Sequence, residues 1–121
     1  MENKKLLAAE NHKNGCSCSQ AVNLAFCDVT GLSAEAAKEE AAPYSKGAKV
    51  GCGAYMAAQL VLDHAAPADK KDAMKAEMEK QFTAKIGSTA CKEIKEKKLR
   101  SCRGCVEDAA ELLQGILEAN R

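Results

Sequence analysis

Apolar positions recur every three to four residues along this chain, in runs interrupted by glycine and proline, and the pattern predicts helices throughout. Gly15, Gly31, Pro43, Gly47, Pro67, Gly87 and Gly104 cut it into helix-sized pieces. The first piece, residues 2–13, is a charged helix closed by Asn14-Gly15, a C-terminal cap signal. The second starts at Ser17, which forms a capping box with Gln20. It carries Cys18, Ala21, Val22, Ala25 and Val29 on one face and ends at Gly31. A short third helix runs from Ser33 to Pro43, and YSKGAKVGCGA reads as a loop. The following helix, about residues 52–64, is apolar on nearly every side, the mark of a buried central element. Pro67 suits the first position of the next helix, whose Met74, Met78, Phe82 and Ile86 make one stripe up to Gly87. Ser88 is placed to cap the short helix STACKEIKEKKL. Ser101 is placed to cap the last one, with a stripe of Cys102, Cys105, Val106, Ala109, Ala110, Leu113, Ile116 and Leu117. The expectation is an all-α fold: a compact bundle of about five to seven short helices around one nearly all-apolar central helix, with no meaningful strand. Residues 1–121 form a single domain on this reading.

Composition agrees with that reading. Hydrophobic residues make up 46% but aromatics only 3%, so Ala, Leu, Met and Val must fill the core, and a β-sandwich or barrel is disfavoured. Eighteen Lys and Arg stand against 17 Asp and Glu, which gives no basic excess for a sequence-independent grip on nucleic acid. The basic run over 92–100 is local and interleaved with Glu93 and Glu96. No apolar run approaches membrane-spanning length. The N-terminus lacks the apolar stretch and cleavage site of a secretory signal, so a cytoplasmic protein is expected. There is no G-x-S-x-G, no H-E-x-x-H and no phosphate-binding P-loop.

The chemistry lies in seven cysteines: Cys16, Cys18, Cys27, Cys52, Cys91, Cys102 and Cys105. A reducing compartment disfavours a structural disulfide framework, so this density points to metal ligation, a redox pair or sensing. Cys18, Cys52, Cys91 and Cys102 fall in the first turns of four different predicted helices. Amides there lack helical acceptors, and the helix dipole favours thiolate, the reactive and ligating form. Gly51 and Gly53 remove side chains beside the Cys52 sulfur; with Cys105 they are the candidates to border a bound cofactor. Cys27, inside LAFCDV, reads as a small buried hydrophobe, and Cys18 and Cys105 also lie on apolar stripes. Cys102 and Cys105 form a C-x-x-C at a helix start, the obvious local dithiol pair. His12 reads as solvated on a charged helix, and His64 as a partner of a helix C-terminus.

The stretches CSQAVNLAF, GCGAYMA, IGSTACKEI and CRGCVEDAAELL together resemble the family of redox-active proteins named for a C…GCAxxG…C…C arrangement. They occur in order and span most of the chain. The resemblance implies a helical domain with four characteristic cysteines, carried here onto Cys18, Cys52, Cys91 and Cys102. It also implies a redox role, in bacteria or archaea, often as an accessory to oxidoreductase or transport systems. Ala57 stands where the family's CGAxxG glycine would be, and Cys16, Cys27 and Cys105 are additions. Three functions follow as expectations. The first is dithiol/disulfide chemistry, which needs no cofactor. The second is zinc or iron–sulfur binding by Cys18, Cys52, Cys91 and Cys102, although the spacing matches neither a zinc ribbon nor a ferredoxin run. The third is an adaptor role beside an oxidoreductase or electron-transfer partner. Enzyme status and oligomeric state, a homo-oligomer included, stay open.

Overall fold

A computed structural model describes residues 3–47 and 51–120, apart from the side chains of residues 45–47. Residue 2, the expected start of the first helix, and residues 48–50 of the expected loop lie outside the described residues. Eight α-helices follow in order: α1 (Lys4–Lys13), α2 (Cys18–Ala25), α3 (Cys27–Thr30), α4 (Ala34–Ala41), α5 (Gly53–Ala65), α6 (Lys71–Ile86), α7 (Cys91–Glu96) and α8 (Cys102–Ala119). A 3₁₀ turn occupies Ala42–Gly47, where the sequence pattern suggested the end of a helix and the start of a loop. The fold is all-α; among the described residues the one β interaction is an isolated antiparallel bridge between Gly51 and Ala90. No helix of the described chain is long and apolar enough to cross a membrane.

Local chemistry accounts for most helix ends. Asn3, Ser17, Ser33 and Ser101 each accept a hydrogen bond from a first-turn amide of the helix that follows. Gly31 and Gly87 close α3 and α6 at φ 79° and 109°, a region that glycine enters without steric cost. Two boundaries differ from expectation. The helix expected from Ser17 to Gly31 breaks at Phe26 (φ −106°, ψ 20°), whose ring is fully buried, and this break adds the eighth helix. Pro67 opens a turn in which the Lys70 amide donates to its carbonyl at 3.0 Å, so α6 begins four residues later.

The core gathers buried residues of α1, α2, α5, α6, α7 and α8, and Ala37 and Ala41 of α4 are buried beside it. The Met74, Met78, Phe82 and Ile86 stripe of α6 is buried as the pattern predicts. So is the α8 stripe from Cys105 to Ile116, whereas Cys102 at its head is exposed. Helix α5 is not buried on every side. Gly53, Ala54, Tyr55, Ala57, Ala58, Val61 and Leu62 are covered, but Met56, Gln59 and Leu60 are half-buried and Asp63 and His64 exposed. Small residues let α2 and α5 pack closely. Polar side chains tie α2 to α4: Ser19 Oγ donates to the Ala41 carbonyl and Asn23 Nδ2 to that of Ala37, both at 2.8 Å.

Helix α1 is held more firmly than its charged sequence suggests. Lys4 is only 1% exposed: its backbone amide donates to Gln114 Oε1 of α8, and its ammonium meets Asp28 Oδ1 at 2.7 Å and lies 5.5 Å from the Phe26 ring. The aliphatic stem adds apolar area while the head keeps a charged and an aromatic partner. His64 Nε2 meets Glu40 Oε2 at 2.7 Å, so a carboxylate of α4 is its partner where a helix terminus was expected.

Candidate functional site

Four helix starts deliver sulfur to one place. The Ser17–Gln20 capping box begins α2 at Cys18. Ser101 Oγ accepts from the Gly104 amide at 3.0 Å and makes Cys102 the first residue of α8. Cys52 is the N-cap of α5, and Cys91 opens α7. The cap of α7 is Ala90 and not Ser88, whose hydroxyl instead accepts from the Ala90 amide at 3.0 Å. The reason is long-range: the chain before Cys91 is extended because it pairs with the glycine before Cys52. The Cys52 amide donates to the Thr89 carbonyl at 2.6 Å beside the Gly51–Ala90 bridge.

Cys18, Cys52, Cys91, Cys102 and Cys105, with Gly53, line one cavity of about 60 Å³, and Ile94, Lys95 and Arg100 complete the lining. Cys18, Cys52 and Cys105 are buried, Cys91 is half-buried and Cys102 is exposed. Cys16 and Cys27 do not line this cavity. Cys16 is half-buried against the core. Cys27, expected as a buried hydrophobe, is also half-buried, with its sulfur 3.9 Å from the Ser33 carbonyl; the break at Phe26 places it at a helix start.

The two glycines act differently. Gly53 is where α5 meets Cys18: a β-carbon there would fall on the Cys18 sulfur and 2.7 Å from the Tyr44 carbonyl oxygen. Only a bare backbone permits that approach. Gly51 is part of the bridge to Ala90, where a β-carbon would lie 2.7 Å from Met56 Sδ. Gly104, inside the C-x-x-C, leaves room for the Arg100 guanidinium, which a β-carbon would meet at 2.5 Å. Arg100 Nε then donates to Asp108 Oδ2 at 3.0 Å, giving this buried carboxylate its charged partner.

Across the cavity Cys102 neighbours Cys18, and Cys105 neighbours Cys52. The pair expected from the sequence, Cys102 with Cys105, lines this cavity as well, and each of its thiols has a neighbour from another helix. One turn of α8 sends one thiol to α2 and the other to the start of α5. The hydrogen bond from Cys105, aided by the Tyr55 and Ala54 amides, brings Cys52 from the ordinary thiol value of 9.0 down to about 7 against the opposing effect of burial. Its partner Cys105 is raised by that same hydrogen bond and by burial. Cys102 is raised too, by its hydrogen bond with Cys18 and then by burial, with Lys95 pulling the other way. The expectation that the leading C-x-x-C thiol is lowered therefore fails at Cys102: as proton donor in its pair, it holds its proton more tightly than the helix start loosens it.

The depressed Cys52 value has a consequence for stability. Between pH 7 and 9 the folded chain holds Cys52 as thiolate while the unfolded chain keeps it protonated, so folding stability rises with pH across that window. Below pH 7 both states are protonated and the contribution is lost. Cys102 and Cys105, raised in the folded state, lose their own contributions only above pH 9. Urea midpoints of the fully reduced protein should rise from pH 6.5 to pH 8.5, and more steeply than in Cys52→Ala; equal slopes would show that Cys52 is not depressed.

His12, expected to be solvated, stands at the site. Its Nδ1 accepts from Arg103 Nε at 2.8 Å, which leaves the ring proton on Nε2, 3.9 Å from Cys102 Sγ. Ninety residues separate the two in sequence, and no local signal joins them. Among the described residues, no group of three or more His, Cys, Asp or Glu side chains is arranged to hold a metal ion. No disulfide joins any two of the cysteines.

A family model described as "putative redox-active protein (C_GCAxxG_C_C)" matches residues 16–116. No curated protein and no solved structure matches the chain.

Proposed function

Because the chain belongs to the C_GCAxxG_C_C family, we propose that it is a cytoplasmic thiol redox protein that cycles two dithiols to disulfides, Cys18 with Cys102 and Cys52 with Cys105. The observation that carries this reading is the convergence of Cys18, Cys52, Cys102 and Cys105 on one cavity of about 60 Å³, with Cys102 beside Cys18 and Cys105 beside Cys52. Thiols gathered on so small a cavity need little further movement to bond. Cys91 lines the same cavity and stands outside the two pairs. Gly53 holds the α5 start close to Cys18, and Gly51 holds it to the Cys91 segment. Seven unbridged cysteines suit a reducing compartment. An oxidoreductase or small dithiol would return the protein to its reduced form. Pairwise engagement of the thiols favours this chemistry over a ligand set of Cys18, Cys52, Cys91 and Cys102 around one metal.

Thiol titration of the anaerobically purified chain tests the proposal. The seven cysteines of the sequence should all titrate before a mild oxidant. Two pairs should disappear after it, mapping by peptide mass to 18–102 and 52–105, and all should return with dithiothreitol. A thiol count that the oxidant leaves unchanged, or tightly bound metal that protects the thiols, would overturn it.

A further inference from the structure

We infer that the groove beside Cys102 receives small disulfides bearing negative charge, so that a carboxylate-bearing disulfide is the oxidant this thiol pair accepts. The inference rests on the dithiol reading and adds a substrate class to it. Cys102 is the exposed cysteine of the cavity. It also lines an adjoining open groove of about 310 Å³, together with Ile94, Lys95, Lys98, Arg100 and Ser101. That volume is at the small end of the range typical of small-molecule sites, roughly 300–1,000 Å³.

Every charged residue in the groove is a cation. Residues 92–100 carry Lys92, Lys95, Lys97, Lys98 and Arg100 against Glu93 and Glu96, a net charge of +3 within a chain whose total is +1. Arg100 is partly offset by Asp108. Lys97 pairs loosely with Glu93 at 4.0 Å. Lys95 and Lys98 therefore dominate the field at the groove. Arg103 stands on the Cys102 helix as well, bonded to His12. An anionic disulfide is drawn to this wall and a cationic one repelled.

The reaction balances without a cofactor. As Cys102 attacks one sulfur of the substrate disulfide, a Cys102–substrate disulfide forms, and the first half leaves with the proton that Cys102 gives up. Cys18 then attacks the Cys102 sulfur, its proton going to the second departing half. Two protein thiols are oxidised to one disulfide, and one substrate disulfide is reduced to two thiols.

The test uses three probes on the reduced full chain: the dianion 3,3′-dithiodipropionate, the neutral bis(2-hydroxyethyl) disulfide and the dication cystamine. Loss of the Cys102 thiol is followed by quenched mass spectrometry, and each rate is divided by that of 2-mercaptoethanol with the same probe. At low salt the normalised rate for the dianion should exceed that for the dication by about tenfold or more. The ratio should collapse in 0.5 M salt, fall in Lys95→Gln/Lys98→Gln and invert in Lys95→Glu/Lys98→Glu; both lysines are exposed, so these chains should fold. A ratio near one in the unaltered protein, or one that the charge-reversed variant leaves unchanged, overturns the inference. Release of both probe halves reports the dithiol reading separately: one half retained on Cys102 overturns that reading, while the charge preference is still judged by the rates.

Discussion

In a Cys18→Ala variant, mild oxidation should remove one thiol pair where the unaltered protein loses two. Cys18 is 5% exposed at the first position of α2, and Cys102 is its partner across the cavity. Without it, Cys102 has no resolving thiol, and an incoming disulfide should remain on it as a stable adduct. A second effect follows from the same contact. The hydrogen bond with Cys18 is the largest cause of the raised Cys102 value, so its removal should increase the thiolate fraction at pH 8. Each unit by which the value falls raises alkylation about tenfold while the thiol remains mostly protonated. The variant should therefore be quicker to alkylate at Cys102 while failing to form an internal bridge there. The fold should survive, since loss of one buried sulfur costs about 1 kcal/mol. Cys27→Ala, outside the cavity, is the control and should behave as the parent. Iodoacetamide labelling read by peptide mass measures both effects. Loss of both thiol pairs in Cys18→Ala would refute the pairing.

The largest expected effect on stability is in the core between α5 and α6. Phe82 is fully buried on α6, and its ring lies 5.3 Å from that of Tyr55 on α5 at an interplanar angle of 43°. The chain has two Phe, two Tyr and no Trp, so few side chains span the gaps that an alanine-rich core leaves. Phe82→Ala should cost about 3–5 kcal/mol, combining lost burial with the cavity left behind. Against a total stability of roughly 5–15 kcal/mol, that is a large fraction. Thermal unfolding should shift down by about 10 °C or more. Polar ties between α5 and α6, Gln59 to the Lys75 carbonyl and Lys75 to Asp63, remain but lie near the surface. No α6 residue lines the thiol cavity, so disulfide formation in the folded fraction should be unchanged. A loss below about 1 kcal/mol would mean that the α5–α6 contact closes around the missing ring.

What could be read from the sequence was what is locally encoded. Ser17, Ser33 and Ser101 announce helix starts because each hydroxyl bonds an amide three residues on. Cys18 and Cys102 were visible as helix-start cysteines for that reason, and the buried stripes of α6 and α8 through their periodicity. Long-range features were not visible. Ser88 resembled the other caps, but the extended conformation at Ala90 is set by pairing with Gly51, almost forty residues earlier. The break at Phe26 comes from burying a ring, which periodicity does not register. The burial of Lys4 was not legible either, since nothing near it in sequence announces Asp28 or the Phe26 ring. The C-x-x-C suggested a local pair, and only tertiary packing shows that each of its thiols also has a neighbour from another helix. His12 beside Cys102 depends on α1 lying along α8, which no residue of α1 encodes by itself.

The bridge between Gly51 and Ala90 makes the span between two of the sulfurs a property of main chain. Cys52 and Cys91 each follow directly on one of its residues, with the Cys52 amide clamped to Thr89. The two main-chain segments that carry Cys52 and Cys91 are thereby tied together without any side chain taking part.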